Sequence, residues 1–254
     1  MLKISRRGFL ITLLLSPIVL WAWATRIERH WLKINRIALR KDGIRIAHVS
    51  DLHYLGDRKY IEKIIAKIHA ADCKYVFFTG DLIDSSNDGY LDEALELITQ
   101  IKLPVYGVAG NHDPVDPDST DKYRAAFKQT GGAYISHETI ELEELTLWGQ
   151  VNDRAVAAAD PERKKILLNH YPAVVDTTWS STPSKYDLVL AGHSHGGQVR
   201  LPFVGPIILP GGVGRYDRGL FDSPMGPLYV NVGIGTFAMP IRFMCRPELA
   251  ILEV

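Results

Sequence analysis

Five short apolar runs, each ending in a block of polar residues, constrain the fold of this chain more than any other feature. Residues 44–49 (IRIAHV), 75–78 (YVFF), 105–108 (VYGV), 166–168 (ILL) and 188–191 (LVLA) are rich in β-branched and aromatic side chains. Runs of that length and composition read as buried strands. They lead into Asp51-Leu52-His53, Gly80-Asp81, Gly110-Asn111-His112-Asp113, Asn169-His170 and Gly192-His193-Ser194-His195. Polar residues delivered by the carboxyl ends of strands, with helices between, line one rim of an α/β sheet, where such folds bind ligands.

The intervening segments fit that scheme. Ile61, Ile64, Ile65 and Ile68, and then Leu91, Ala94, Leu95 and Ile98, recur at helical spacing, so each set is the core stripe of a helix. A third helix is expected to begin near Ser119 or Thr120 and to stop at Gly131-Gly132. Residues 30–41 read as a first edge strand, with Asp42-Gly43 as a tight turn into 44–49. Beyond Gly132 come short strands at 133–135, 140–142, 145–148, 199–203, 228–232 and 249–254, expected to form a second sheet facing the first. The predicted fold class is therefore α/β, a two-sheet sandwich flanked by helices in four layers, α/β/β/α, over residues 44–254. The Gly- and Pro-rich stretch 202–227 exceeds ordinary connection lengths and is expected to be a loop over the site.

The 254 residues carry 29 basic and 29 acidic side chains, but unevenly: residues 1–41 hold nine Lys/Arg and one acid. The remainder is mildly acidic, which argues against a general nucleic-acid-binding surface. Lys3, Arg6 and Arg7 precede an apolar run over residues 9–24, which at ~1.5 Å per residue spans roughly 24 Å, short of a bilayer core. Residues 1–25 thus read as a signal peptide or a marginal anchor, and 26–43 as a basic connector with its edge strand. Ser5-Arg6-Arg7-Gly8-Phe9-Leu10 resembles the twin-arginine export motif, and Ala22-Trp23-Ala24 fits a small-x-small cleavage site. Trp21 and Trp23 instead suit an interfacial belt, and the later cluster Arg26, Arg29, Lys33, Arg36 and Arg40 favours a cytoplasmic catalytic domain by the positive-inside rule. The two signals point to opposite sides of the membrane. Cys73 and Cys245 have no close spacing and read as packing residues.

The polar blocks carry the donor types that divalent cations require. Asp51 and His53 can reach one cation from a turn, and Asp81 follows a glycine that lets its carboxylate approach closely. Asn111 offers a neutral carbonyl oxygen. His112 is placed to reach substrate, with Asp113 to orient its ring. His193 and His195, at alternate positions between glycines, can face one pocket. His170, alone ahead of Tyr171-Pro172, reads by itself as an ordinary core histidine. Its company changes that, because five of the nine histidines fall at strand ends; His30, His48, His69 and His137 do not and read as structural or solvated.

In this order, D-x-H, G-D, G-N-H-D, a lone H and G-H-x-H resemble the signature of the calcineurin-like metallophosphoesterase superfamily from about residue 44 to the end. Gly196-Gly197-Gln198, Asn169-His170-Tyr171-Pro172, Ile241-Arg242 and Cys245-Arg246-Pro247-Glu248 are similar to the small bacterial membrane-associated or twin-arginine-exported phosphodiesterases of that superfamily. The resemblance implies one metal on Asp51, His53, Asp81 and His195, and a second on Asp81, Asn111, His170 and His193. It makes His112 the residue that protonates the leaving oxygen or steadies the transition state, with Asp113 behind it. Two divalent ions, Mn²⁺ first and Fe²⁺ or Zn²⁺ as alternatives, suit such mixed ligands.

Arg200, Arg215, Arg218 and Arg242 are candidate contacts for a second phosphate. The expected function is a monomeric, membrane-proximal phosphodiesterase acting on a phosphodiester or diphosphate, with a lipid-linked substrate suggested by its position at the membrane. A diphosphatase of the UDP-2,3-diacylglucosamine type is its sharper variant, and a non-catalytic, metal-stabilised scaffold its competitor.

Overall fold

The computed structural model describes residues 17–41, 43–150, 163–177 and 185–254. Most of the apolar leader therefore lies outside the described residues, as does Asp42. Residues 17–22 are helical and pass through a π turn, Trp23–Ile27, and a 3-10 turn, Glu28–His30. Among the described residues no helix is long and apolar enough to cross a membrane.

Two six-stranded sheets form the centre. The first comprises β1 (Lys33–Ala38), β2 (Arg45–Val49), β3 (Tyr75–Phe78), β4 (Val105–Gly107), β5 (Ala133–Tyr134) and the last strand of the chain, β14 (Glu248–Glu253), in the order β1-β14-β2-β3-β4-β5. The second comprises β6 (Thr139–Glu141), β7 (Leu145–Gln150), β8 (Lys164–Asn169), β9 (Leu188–Ala191), β12 (Gly219–Ser223) and β13 (Gly226–Val230), in the order β12-β13-β9-β8-β7-β6. A small hairpin, β10 (Arg200–Leu201) with β11 (Gly205–Pro206), stands outside both. Strands β2, β3 and β4 run parallel to one another, as do β7, β8 and β9, so each sheet presents a rim of carboxyl ends.

Alternation along the strands sorts the core into layers. Ala47, Val49, Val76, Phe78, Leu249 and Ile251 face the helices, packing on Ile61, Ile64, Ile65 and Ile68 of α1 (Arg58–His69) and Leu95 and Ile98 of α2 (Leu91–Thr99). Tyr123 and Phe127 of α3 (Pro117–Gln129) complete that layer. Ile46, Phe77, Tyr106, Ala250 and Leu252 face inward onto Leu147, Ile166, Leu168, Leu188, Leu190 and Tyr229 of the second sheet. On that sheet's outer face lie α4 (Val174–Thr177) and the side chains of Tyr186, Tyr216 and Met225.

Several expectations change. Residues 133–134 and 248–253 belong to the first sheet, not the second. β14 buries both faces, which suits an interior position in either sheet; its register with β2 and β1 decides. Because β14 lies between them, β1 and β2 form no hairpin. Helix α3 starts earlier than Ser119 because Asp116 accepts from the Ser119 amide at 3.0 Å and Pro117 occupies the first turn. The stretch 202–227 is not one loop, since it contributes β11, β12 and the start of β13.

His48 lies fully buried between the sheets, with Nε2 2.9 Å from Thr79 Oγ1 and its ring edge-on to Tyr229. Burial lowers its pKa from 6.5 to about 3. The unfolded chain therefore binds a proton that the folded one refuses. Stability from this group is complete above pH 6.5 and is lost as pH falls from there toward 3. At about 1.4 kcal/mol per pH unit, the loss reaches about 2 kcal/mol by pH 5. Urea unfolding at pH 7 and pH 5 should show wild-type protein losing about that much more stability than His48→Gln. Equal losses would show that His48 is not responsible.

Candidate metal centre

All five polar blocks meet where the two rims converge. β2 delivers Asp51 and His53, β3 Asp81, and β4 Asn111 and His112; β8 delivers His170, and β9 His193 and His195. Asp51, His53, Asp81, His170, His193 and His195 are buried, Asn111 is exposed and His112 half-buried.

Five of these residues sit in left-handed backbone: Asp51 (φ 50°), His53 (39°), Asp81 (58°), His193 (65°) and His195 (46°). Such conformations cost non-glycine residues on the order of 1–3 kcal/mol each and persist only where surrounding structure imposes them. Here the strand ends interlock: the Asp51 amide donates to the Gly80 carbonyl at 2.9 Å, His53 to Asp81 at 3.1 Å and Gly192 to His170 at 3.1 Å. Gly80 itself has φ 95°, and a Cβ there would lie 2.3 Å from the Gly110 amide nitrogen. Gly80→Ala should therefore cost at least about 1–3 kcal/mol, read as a lower urea midpoint, and weaken metal retention. An unchanged midpoint would show that these loops yield freely.

The ligating atoms of Asp51, His53, Asp81 and His195 all lie within 4.8 Å of one another, and those of Asp81, His170 and His193 do likewise. Asp81 belongs to both groups. Its Oδ2 is 3.4 Å from His53 Nε2 and 3.2 Å from His170 Nε2. His53 Nε2 and His195 Nε2 approach to 3.2 Å, and His195 Nε2 lies 3.5 Å from Asp51 Oδ1. In the second group His193 Nδ1 and Asn111 Oδ1 are each 3.0 Å from His170 Nε2.

Outer contacts set the tautomers. His170 Nδ1 donates to the Thr79 carbonyl at 2.7 Å, and His193 Nε2 to the Gly211 carbonyl at 2.7 Å. Each ring therefore turns its other nitrogen, Nε2 of His170 and Nδ1 of His193, to the centre, where a bound cation would take the place of a proton. Asp51 is held by the His193 amide at 3.0 Å. These residues fit divalent cations: lone pairs from four imidazoles and two carboxylates converge in a buried space with few protons to share.

The charges agree. Burial raises the Asp81 carboxyl, but His170 and His53 outweigh that and hold it well below the usual range. Asp51 is pushed up to about 6, chiefly by burial, with His170 opposing and Asp81 adding to the rise. Burial disfavours a charged His170, yet Asp81 and Asp51 hold its pKa up to about 9. His193 is lowered to about 4 by burial and by His170, and His195 falls well below the ordinary value through burial and His53.

His112 borders the centre. Its amide donates to Asp81 Oδ1 at 2.8 Å, and its ring stands 5.3 Å from His53 and 4.4 Å from Phe237. The carboxylate beside His112 is not the expected Asp113 but Asp84, whose Oδ2 lies 3.6 Å from Nδ1. Asp113 is buried and accepts from the amides of Asp81, Leu82 and Gly110 and from the Tyr123 hydroxyl, all at 2.7–2.8 Å. It clamps the β3 and β4 loops together. The signal for Asp84 in the sequence is its place three residues after Asp81, in the same loop. Phe237 had no sequence signal; a reciprocal hydrogen-bond pair between its backbone and the Gln198 side chain holds it in place.

The four candidate arginines divide. Arg242 is fully buried and spends its donors on the carbonyls of Val232, Gly233, Gly235 and Cys245, so it braces backbone instead of binding phosphate. Arg200 pairs with Asp217 at 2.7 Å, and Arg215 lies over the Tyr216 ring. Arg218 is exposed. Cys73 and Cys245 are buried free thiols, as expected.

Among similar proteins are the metallophosphoesterase YkuE of Bacillus subtilis (strain 168), 29% identical over 89% of this chain and 84% of its own length, and the phosphodiesterase YaeI of Escherichia coli (strain K12), 28% identical over 89% and 90%. The UDP-2,3-diacylglucosamine pyrophosphatase LpxG of Chlamydia muridarum (strain MoPn / Nigg) is 25% identical over 96% of this chain and 95% of its own. The profile of the calcineurin-like phosphoesterases matches residues 44–197, from the start of β2 to just past His195. That span is well over half of the chain and takes in every strand end at the centre, so this protein belongs to the calcineurin-like phosphoesterase family and is a phosphoric ester hydrolase.

Proposed function

We propose that this protein is a two-metal phosphodiesterase acting on a lipid-linked phosphodiester or diphosphate at a membrane surface. The observation that carries the two-metal reading is Asp81, the one carboxylate common to both ligand groups. Asp51, His53, Asp81 and His195 would hold one cation, and Asp81, Asn111, His170 and His193 the other, with Mn²⁺ as the first choice and Fe²⁺ or Zn²⁺ as alternatives. Bound divalent ions supply Lewis-acid activation of water and neutralise phosphoryl charge. The chain's own residues do the rest. The Asp81 contact to the His112 amide fixes that residue beside the centre, and Asp84 on its Nδ1 side leaves Nε2 to protonate the departing oxygen. Phe237 covers the His112 and His53 rings and limits access of water from that side.

The substrate class is supported by the name of the LpxG relative, a pyrophosphatase of an acylated nucleotide sugar, and by the apolar leader with its tryptophans and basic cluster. The test is hydrolysis by the full chain, stripped with EDTA and reloaded with Mn²⁺, Fe²⁺ or Zn²⁺, of bis-p-nitrophenyl phosphate, p-nitrophenyl phosphate and UDP-2,3-diacylglucosamine. Metal-dependent cleavage of the diester or the diphosphate in preference to the monoester is expected. A protein that binds its metals and cleaves none of them would be the scaffold instead.

A further inference from the structure

Three apolar elements meet beside the metal centre, and one of them, a loop, joins the other two. The first is the β10–β11 hairpin and the segment after it, which expose Leu201, Phe203, Val204, Ile207 and Ile208. Between residues 199 and 214 the only charge is Arg200, and it is turned inward onto Asp217 and the Gly196 carbonyl. The second is the loop itself, which exposes Phe237, Met239 and Met244. It is stitched to the hairpin root by the Phe243 amide on the Gln198 carbonyl and the Arg200 amide on the Phe243 carbonyl, both at 2.9 Å. The third is the N-terminal helix, with Ile18, Val19, Leu20, Trp21 and Ile27 exposed. It is latched to the same loop by the Arg242 amide on the Ala24 carbonyl at 3.1 Å, and by Glu28, which accepts from the Cys245 amide at 2.8 Å and from Trp23 Nε1 at 2.9 Å. Phe237 ties the assembly to the catalytic side, since its ring packs on His112.

Clusters of exposed apolar side chains mark interaction surfaces. The composition identifies what covers it. The sequence ahead of the helix, residues 9–16, is apolar. Trp21 and Trp31 suit the headgroup level, and the exposed Arg26 and Arg218 flank the apolar elements while no acidic residue occurs between 199 and 216. We propose that Phe203, Val204, Ile207 and Ile208, with Met239 and Met244, insert into the surface of an anionic lipid bilayer beside the N-terminal helix. The metal centre then opens at headgroup level, where a lipid-borne phosphate lies. This docking face rests on the membrane reading above but adds a second point of attachment, far from the leader in sequence and independent of hydrolytic activity.

The full chain offers a direct test, because its two native cysteines are buried. Phe203→Cys and Glu143→Cys would each carry an environment-sensitive fluorophore. Glu143 is exposed in the turn before β7, which begins alongside Lys164 and so lies at the rim opposite His170. On vesicles of phosphatidylethanolamine and phosphatidylglycerol, the label at 203 should shift to the blue, resist quenching by aqueous iodide and be quenched by bromine-bearing acyl chains. The label at 143 should do none of these. A vesicle-bound protein whose two labels are equally open to iodide would overturn the docking face and leave the leader as sole anchor. Protein that does not sediment with vesicles at all would overturn both. Shielding at 203 that appears without lipid as protein concentration rises would assign the face to a second copy, and would equally overturn the proposal.

Discussion

Asp81→Asn is expected to lower metal-dependent diester hydrolysis by at least roughly 10³-fold and to leave the protein with fewer than two tightly bound divalent ions. The substitution keeps the size of the side chain and an oxygen able to accept from the His112 amide, now at 2.8 Å from Oδ1. It removes the negative charge at the one position shared by both ligand groups. Without that charge, His53 and His170 lose the carboxylate 3.4 and 3.2 Å from their Nε2 atoms, and two cations would face each other with no anion of the protein between them. Elemental analysis after gel filtration, alongside turnover of bis-p-nitrophenyl phosphate, reads both consequences. Two ions retained with near wild-type turnover would mean that some other ligand bridges the groups.

His112→Ala should lower turnover by roughly 10²–10⁴-fold, the usual size of general acid catalysis, while both metals stay bound. The distinction from Asp81 lies in what each side chain touches. The imidazole of His112 is half-buried and belongs to neither ligand group, and only its backbone amide contacts Asp81. Turnover should therefore fall without loss of metal, and a leaving group that needs no proton, such as p-nitrophenolate, should be affected less than an alkoxide. Asp84→Asn should act in the same direction but more weakly, roughly tenfold, because a pair with side chains 24% and 22% exposed contributes on the order of 1 kcal/mol. It should add little on top of His112→Ala if Asp84 works through that ring. Wild-type turnover of an alkyl diester by His112→Ala would remove the residue from the mechanism.

Much of the centre was legible in the linear chain because strand ends announce themselves. Each apolar run stops where the polar block begins, and the types Asp, His and Asn leave few chemistries open. His170 shows where that legibility thins. By itself it reads as a core histidine; its company at the strand ends argues otherwise, and the carbonyl of Thr79 behind Nδ1 with the Asp81 carboxylate before Nε2 places it in the centre. Asp113 shows an error of proximity. It is adjacent to His112 in sequence, but successive residues in a turn point in different directions, and its oxygens bind amides of two loops. Asp84 reaches the His112 ring from another loop, a contact that needs the β3 and β4 ends side by side. Arg242 looked like a phosphate ligand for its charge and place in a late loop; full burial among carbonyls makes it a brace.

Local chemistry along the chain thus determined the strand-and-helix alternation and the donor types, since periodicity and side-chain identity are properties of short segments; the reaction class came with the resemblance of the motif order to the calcineurin-like phosphoesterases. Tertiary structure alone decided that β14 enters the first sheet, that five site residues are held in left-handed backbone, and that Asp84 instead of Asp113 stands beside the His112 ring. Those outcomes depend on hydrogen bonds and packing between segments separated by tens to hundreds of residues, for example between the Asp51 carboxylate and the His193 amide. No short segment carries that information, because the free energy that selects each arrangement arises only when the segments meet.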